Sequence, residues 1–288
     1  MINFYIPDFY YQYNLNIKLI TLLKDHPEYF YDNIGIGAVY GTFPGAIWNG
    51  GRWLRGITTS DNIKATIEGF NNLNIPVRFT FTNCLLDDMH VYDAYCNLIM
   101  KCADNGQNEV LVNSESLENY LRNRYPNFKY ILSTTKCERN IDKINEACSR
   151  YDLVVTDYRD NTNDEFLNGL IDKNKIELLI NAYCPPTCTQ RLKHYSILSE
   201  NQLNFSDCKH NDIDCNAPSN SFFDILKYPT VIKVCDLYGK YVDMGFSNFK
   251  IEGRTLHAMD IIESYVYYMV KPEFKDKIRY TLVRSVWN

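Results

Sequence analysis

The chain has 288 residues, a length that suits two ordinary domains or one barrel of about 250 residues. An apolar fraction of 45% with 23% charged residues excludes a disordered or fibrous chain. The net charge of -5 excludes a broad basic face for nucleic acid, because phosphate neutralisation needs clustered Lys and Arg, and leaves room only for a local basic pocket.

Short β-rich runs alternate with longer helical patterns, the sequence form of repeated βα units around a parallel sheet. In chain order the strand candidates are 3–7 ("NFYIP"), 34–40 ("IGIGAVY"), 77–83 ("VRFTFTN"), 109–114 ("EVLVNS"), 129–135 ("KYILSTT"), 152–157 ("DLVVTD"), 176–183 ("IELLINAY") and 248–254 ("NFKIEGR"). Helices are expected over 15–24, 61–72, 88–103, 115–124, 140–149 and 164–172, with Ser60 and Ser114 as N-caps. A last helix follows strand eight, where Leu256, Met259, Ile262, Val266 and Met269 recur at spacings of three and four. Eight such units predict an α/β fold, a (β/α)8 TIM-barrel-like domain spanning 1–288.

One connection breaks the rhythm. Residues 184–247 form a cysteine-rich insertion between strands seven and eight, and a connection of that length in a compact domain is usually functional. In a barrel it emerges at the C-terminal face, where active sites of this architecture lie. The Gly-rich stretch "GAVYGTFPGAIWNGG" reads as the loop after strand two, a weak candidate for cradling phosphate.

Ten cysteines in a chain of this size with no export signal are expected to be thiols, and no apolar run approaches the roughly 18 residues of a membrane span. A cytoplasmic location follows as an expectation. Cys96, Cys102 and Cys148 fall in apolar helical patterns and read as small buried hydrophobes. Cys184, Cys188, Cys208, Cys215 and Cys235 crowd instead into a polar stretch. Four converging thiolates can bind zinc or hold an iron-sulfur cluster, and spacing does not choose between those two or coincidence. Cys184 and Cys188 make a close pair around Pro185 and Pro186, Cys208 and Cys215 a looser one, with Cys235 as a substitute ligand.

In "FKIEGR", alternation puts Phe249 and Ile251 on one side and Lys250, Glu252 and Arg254 on the other. The apolar pair suits the helix layer, so the charged set must enter the barrel or its mouth, as a structural ion-pair layer or as catalytic and anion-binding groups. Other strand ends bring Asn83, Asn113, Ser114, Thr134, Thr135, Asp157, Arg159 and Asn181 toward the same rim. Arg191 and His194 follow Cys188 closely enough to meet a cluster or an anion, or simply to be solvated. Asn83, Asn113, Asp157, Arg159, Asn181, Arg191 and His194 are therefore the substrate-binding candidates.

"GFSNFKIEGR", followed by "ESYVYYMVKPE", resembles the collagenase-like peptidase family, family U32. "NAYCPPTCTQRLKHY" is similar to the Asn-x-x-Cys-x-x-x-Cys-x-x-Arg-x-x-His-Tyr pattern of a short branch from anaerobic bacteria, as are "TFTNCLLDDMHVYDAYCN" and "EVLVNS". The resemblance covers nearly the whole chain. It implies a barrel-like catalytic domain, in several members a 4Fe-4S cluster on four cysteines, and, in the better understood relatives, oxygen-independent hydroxylation of RNA or of a ubiquinone precursor. Those relatives have a wider first Cys pair; the remaining ligands here would come from Cys208, Cys215 and Cys235. The extra C-terminal domains of long members are not expected, which makes nucleic acid the lesser partner beside a small-molecule or peptide substrate and a protein partner or electron donor. Two alternatives accompany the hydroxylase reading: a metal-dependent peptidase with Glu252 as general base, and a non-catalytic cluster or zinc module.

Overall fold

A computed structural model describes residues 1–206 and 221–287. Strands and helices alternate: β1 (Ile2–Pro7), α1 (Tyr13–Asp25), β2 (Ile34–Gly41), α2 (Ser60–Asn71), β3 (Val77–Phe81), α3 (Ala94–Ala103), β4 (Glu109–Val112), α4 (Glu115–Arg124), β5 (Lys129–Leu132), α5 (Ile141–Arg150), β6 (Leu153–Val155), α6 (Asp164–Gly169) and β7 (Ile176–Leu179). The long connection then carries α7 (Arg191–Asn204), α8 (Phe222–Ile225) and α9 (Val234–Asp236) before β8 (Asn248–Lys250), α10 (Ala258–Met269) and α11 (Lys275–Trp287). Every neighbouring strand pair is parallel, and β8 returns to β1 through Asn3 opposite Asn248 and Tyr5 opposite Lys250. The sheet closes as a (β/α)8 barrel of β1 to β8 in chain order.

Alternation along the strands sorts the side chains into two compartments. Phe4, Ile6, Val39, Phe79, Phe81, Val110, Leu178, Phe249 and Ile251 face outward and join the helices in one large core. Phe79 and Phe81 meet Phe9 and Trp48 at 5.6 and 5.3 Å between ring centroids. Each such buried side chain contributes about 1.5–3 kcal/mol of hydrophobic stabilisation. Tyr5, Ala38, Tyr40, Leu111, Ile131 and Val155 pack in a second cluster inside the barrel.

Below the mouth the interior is charged. Arg78 on β3 is fully buried and donates through Nε to Glu109 (2.6 Å) and through Nη1 to Glu177 (2.5 Å), with Tyr5 lying 4.0 Å beneath its guanidinium. Lys250 on β8 meets the other Glu177 oxygen at 3.3 Å. Two cations and two carboxylates thus balance inside the strand cylinder.

The structure differs from the sequence reading at element ends. From β3 onward the expected strands overrun, because their last residues leave the sheet to form the rim. The helix expected over 88–103 is broken: Asp87 accepts the Met89 and His90 N–H groups in a turn, and Asp93 restarts the helix by accepting the Cys96 N–H at 2.7 Å. Thr59, rather than Ser60, caps α2 through the Asn62 N–H; Ser114 caps α4 as expected. The region of the cysteine-rich insertion supplies α7, which seats on the loops after β2 and β3: Gln202 accepts the Leu54 N–H at 2.9 Å, and the Ser199 carbonyl accepts from Asn83 at 3.1 Å.

Candidate active site

A cavity of about 640 Å³ opens at the C-terminal mouth, within the ordinary size range of small-molecule sites. Lys250, Leu111 and Tyr40 contribute to its floor, the loop after β2 to one wall, and Arg191, His194, Tyr195 and Leu198 of α7 to its cover. The charged run on β8 lies where alternation put it: Lys250, Glu252 and Arg254 all line this space.

The cations around the cavity are not equivalent. Arg52 pairs with Glu252, whose other oxygen accepts the Tyr183 N–H at 3.0 Å. Arg191 pairs with Asp157 at 2.6 Å, and Lys250 with Glu177. Arg254 alone among these four has only neutral hydrogen-bond partners among the described residues, with the Asp8 and Glu252 carboxylates acting on it at longer range. Its Nη1 donates to Asn49 Oδ1 (2.8 Å) and Thr80 Oγ1 (2.7 Å), and its Nη2 to the Gly50 carbonyl (2.8 Å). Burial, reinforced by the nearby Arg52 charge, pulls Arg254 down to about 10, still protonated at neutral pH. A guanidinium held by neutral acceptors in a low-dielectric cleft is under-compensated and attracts an anion.

The Gly-rich loop makes this possible. A Cβ on Gly50 would sit 2.3 Å from the Thr82 carbonyl, so only glycine lets the loop lie against the end of β3 and present its own carbonyl to Arg254. Gly51 next to it has φ +72°. Asn49 secures the turn by donating to the Arg52 carbonyl while accepting from Arg254 and Thr80. Arg52, Asn49 and Gly50 were missed by pattern reading; the irregular glycine spacing after strand two was their only signal.

No family model matches the chain, and no curated protein matches it. The chain is similar in fold to the U32 peptidase Mk0906. That structure superposes with a TM-score of 0.55 at 10% identity, over 88% of this chain and 94% of the other. At so low an identity the likeness shows the fold alone. A GH113 beta-1,4-mannanase aligns with a TM-score of 0.31 at 11% identity, over 98% and 97% of the two chains.

Several of the expected substrate contacts are hydrogen-bonded within the fold. Asn181 is fully buried and grips the backbone of Glu252 from both sides, accepting its N–H at 2.6 Å and donating to its carbonyl at 3.1 Å. Asn83 donates to the Ile47 and Ser199 carbonyls, tying the β2 loop to α7. Asn113 donates to Thr135 at 2.7 Å. Asp157 binds the Arg159 fork at 2.9 Å through each oxygen, as well as Arg191, while Arg159 reaches the Cys188 carbonyl. Arg191 and His194 do line the cavity.

Burial works to raise Asp157, but the Arg159 hydrogen bonds and the Arg191 charge outweigh it and hold the carboxyl below its usual range near 3.8. A folded-state value below the unfolded one gives stability that is present above pH ~4 and lost as pH falls through the depressed value. Asp157→Asn is expected to cost about 1.5–3 kcal/mol at pH 7. In urea titrations the gap from the native chain should narrow toward pH 3; a pH-independent gap would remove the ion-pair account.

The thiols divide. Cys184 lines the cavity, and burial together with Cys188 pushes it up to about 12; Cys137, near Cys188 and Arg191, is also raised by burial. Cys235 is exposed, on α9. Cys208 and Cys215 lie outside the described residues. Among the described residues no group of three His, Cys, Asp or Glu side chains is placed to hold a metal ion. Of the cysteines expected as ligands, Cys184 is the one among the described residues that lines the cavity.

Proposed function

We propose that this chain is an enzyme that binds a small anionic substrate, or the terminal carboxylate of a short peptide, in the mouth of the barrel, with Arg254 as the anchor. The observation that carries this reading is the Arg254 guanidinium, turned into the cavity on three neutral acceptors while the Arg52, Arg191 and Lys250 cations each have a carboxylate. An anion there forms charge-assisted bonds without displacing an existing ion pair. Glu252, with both oxygens engaged, fixes Arg52 at the rim; a role for it as general base would require one of those contacts to break. The peptidase alternative accordingly draws its support from the fold shared with Mk0906.

Thermal unfolding with small carboxylates and their matched amides tests the anchor. Saturable stabilisation by the acids is expected, about 2.7 kcal/mol at ~100 times the dissociation constant. Equal effects of acid and amide, or none from either, would sink it.

The finer reading is an iron-sulfur enzyme of the hydroxylase type, cytoplasmic, with an electron donor as partner. The position of Cys184 on the cavity wall, with Cys188 in the next turn, supports it. The cluster would sit on Cys184 and Cys188 with Cys208 and Cys215 and would supply electron transfer beside the anchored substrate. Iron and acid-labile sulfide in protein purified without oxygen are expected; stoichiometric zinc, or neither metal, would overturn it.

A further inference from the structure

Lys250 occupies an unusual position for a counter-ion. It is 6% exposed and lines the cavity floor, and among the described residues its ammonium nitrogen makes no hydrogen bond of good geometry; its neighbours are the paired Glu177 Oε1 at 3.3 Å and the face of Tyr40, 4.0 Å from the ring centroid. Glu177 is already committed through its other oxygen to Arg78. Around the same cavity Thr82 Oγ1 and Trp53 Nε1 are also buried without a hydrogen-bond partner among the described residues. A floor amine below an anion anchor, ringed by unmet polar atoms, is built to receive a polar group deeper than the anion itself.

Arg254 sets the spacing. Although four residues beyond Lys250, its side chain folds back across the mouth to Thr80 on β3, so guanidinium and amine face one space. A molecule whose carboxylate rests on Arg254 occupies the space that Lys250 also lines.

We propose that Lys250 is an imine-forming nucleophile and that the substrate class is a 2-oxo acid, its carboxylate on Arg254 and its ketone carbon against the Lys250 nitrogen. This deepens the anion reading and rests on it. The neutral amine adds its lone pair to the carbonyl carbon; the C–O π pair becomes a hydroxyl by taking the proton released from nitrogen. Loss of that hydroxyl as water, with one further proton from the medium, leaves a protonated imine, which withdraws electrons from the neighbouring carbon. No oxidant or reductant is needed. Burial, aided by the Arg78 and Arg254 charges and opposed by Glu177, brings Lys250 down to about 8, so a usable fraction is neutral near physiological pH.

The test uses the native chain with pyruvate and sodium cyanoborohydride, which reduces an imine to a stable secondary amine. Intact-mass and peptide-map analysis should show one added pyruvic acid less one oxygen atom, on Lys250, with Lys250→Arg folded by circular dichroism and unlabelled. Absence of the adduct, or labelling spread over surface lysines at the same rate, overturns the proposal. Pyruvamide, the matched 2-oxo compound without the carboxylate, separates the two readings: labelling of Lys250 is expected to be about tenfold or more faster with pyruvate. Equal rates would retain the nucleophile and remove the anchor. Stabilisation by pyruvate that depends on Arg254 but leaves Lys250 unlabelled would retain the anchor and remove the nucleophile.

Discussion

Arg254→Ala is expected to weaken carboxylate binding by about 10–100-fold, the equivalent of about 1.5–3 kcal/mol for a hydrogen-bonded charge. Among the described residues the guanidinium is the one of the four formal cations around the cavity with no carboxylate in direct contact, so its loss leaves Arg52, Arg191 and Lys250 still paired with their own carboxylates. None of those three is released to replace it. The fold should survive, because the atoms that lose a donor are the Asn49 and Thr80 side-chain oxygens and the Gly50 carbonyl at the wall of a cavity, and Thr80 keeps its bond to the Gly41 carbonyl at 3.0 Å. Arg254→Lys is the sharper comparison. It keeps the charge and loses the planar fork that spans three acceptors, so it should bind with intermediate affinity and a faster off-rate. Calorimetric titration with a small carboxylate reads both variants. Native affinity in the Ala variant would show that the anion is held elsewhere, with Arg191 the next place to look.

How much of this was legible in the sequence depended on the physical range of each signal. Strand alternation acts between adjacent residues, and it placed Lys250, Glu252 and Arg254 inward and Phe249 and Ile251 outward. The βα rhythm acts over tens of residues and gave the closed eight-strand barrel. The partners of buried charge act across the fold: nothing local to "VRFTF" says that Arg78 meets Glu177, 99 residues away. Asn181 illustrates the same limit. Its place at a strand end reads as a rim contact, while its short amide both accepts from and donates to the Glu252 backbone, and only the neighbouring strand's path reveals that. Arg52 was invisible for a different reason: an arginine in a glycine-rich loop carries no periodicity, and its role comes from the close approach that Gly50 permits.

Arg78→Met is expected to destabilise the chain by about 3–5 kcal/mol, a large share of the ~5–15 kcal/mol that holds a typical domain together. Arg78 has no exposed surface and neutralises Glu109 and Glu177 through separate nitrogens, both carboxylates being inside the barrel and shielded from water. Methionine fills most of the volume and meets neither charge, so the loss is electrostatic rather than a cavity. Arg78→Lys restores one charge without the fork and should recover only part of the deficit, since a single ammonium cannot reproduce both contacts at 2.5 and 2.6 Å. Urea unfolding midpoints measure the order native, Lys, Met. The same substitution reaches the chemistry above it. With Arg78 gone, Glu177 answers to Lys250 alone; the amine is held more firmly in its charged form, and labelling by pyruvate should slow even in the fraction that stays folded. A variant that unfolds more easily while Lys250 reacts at the native rate would break the link between the ion layer and the nucleophile.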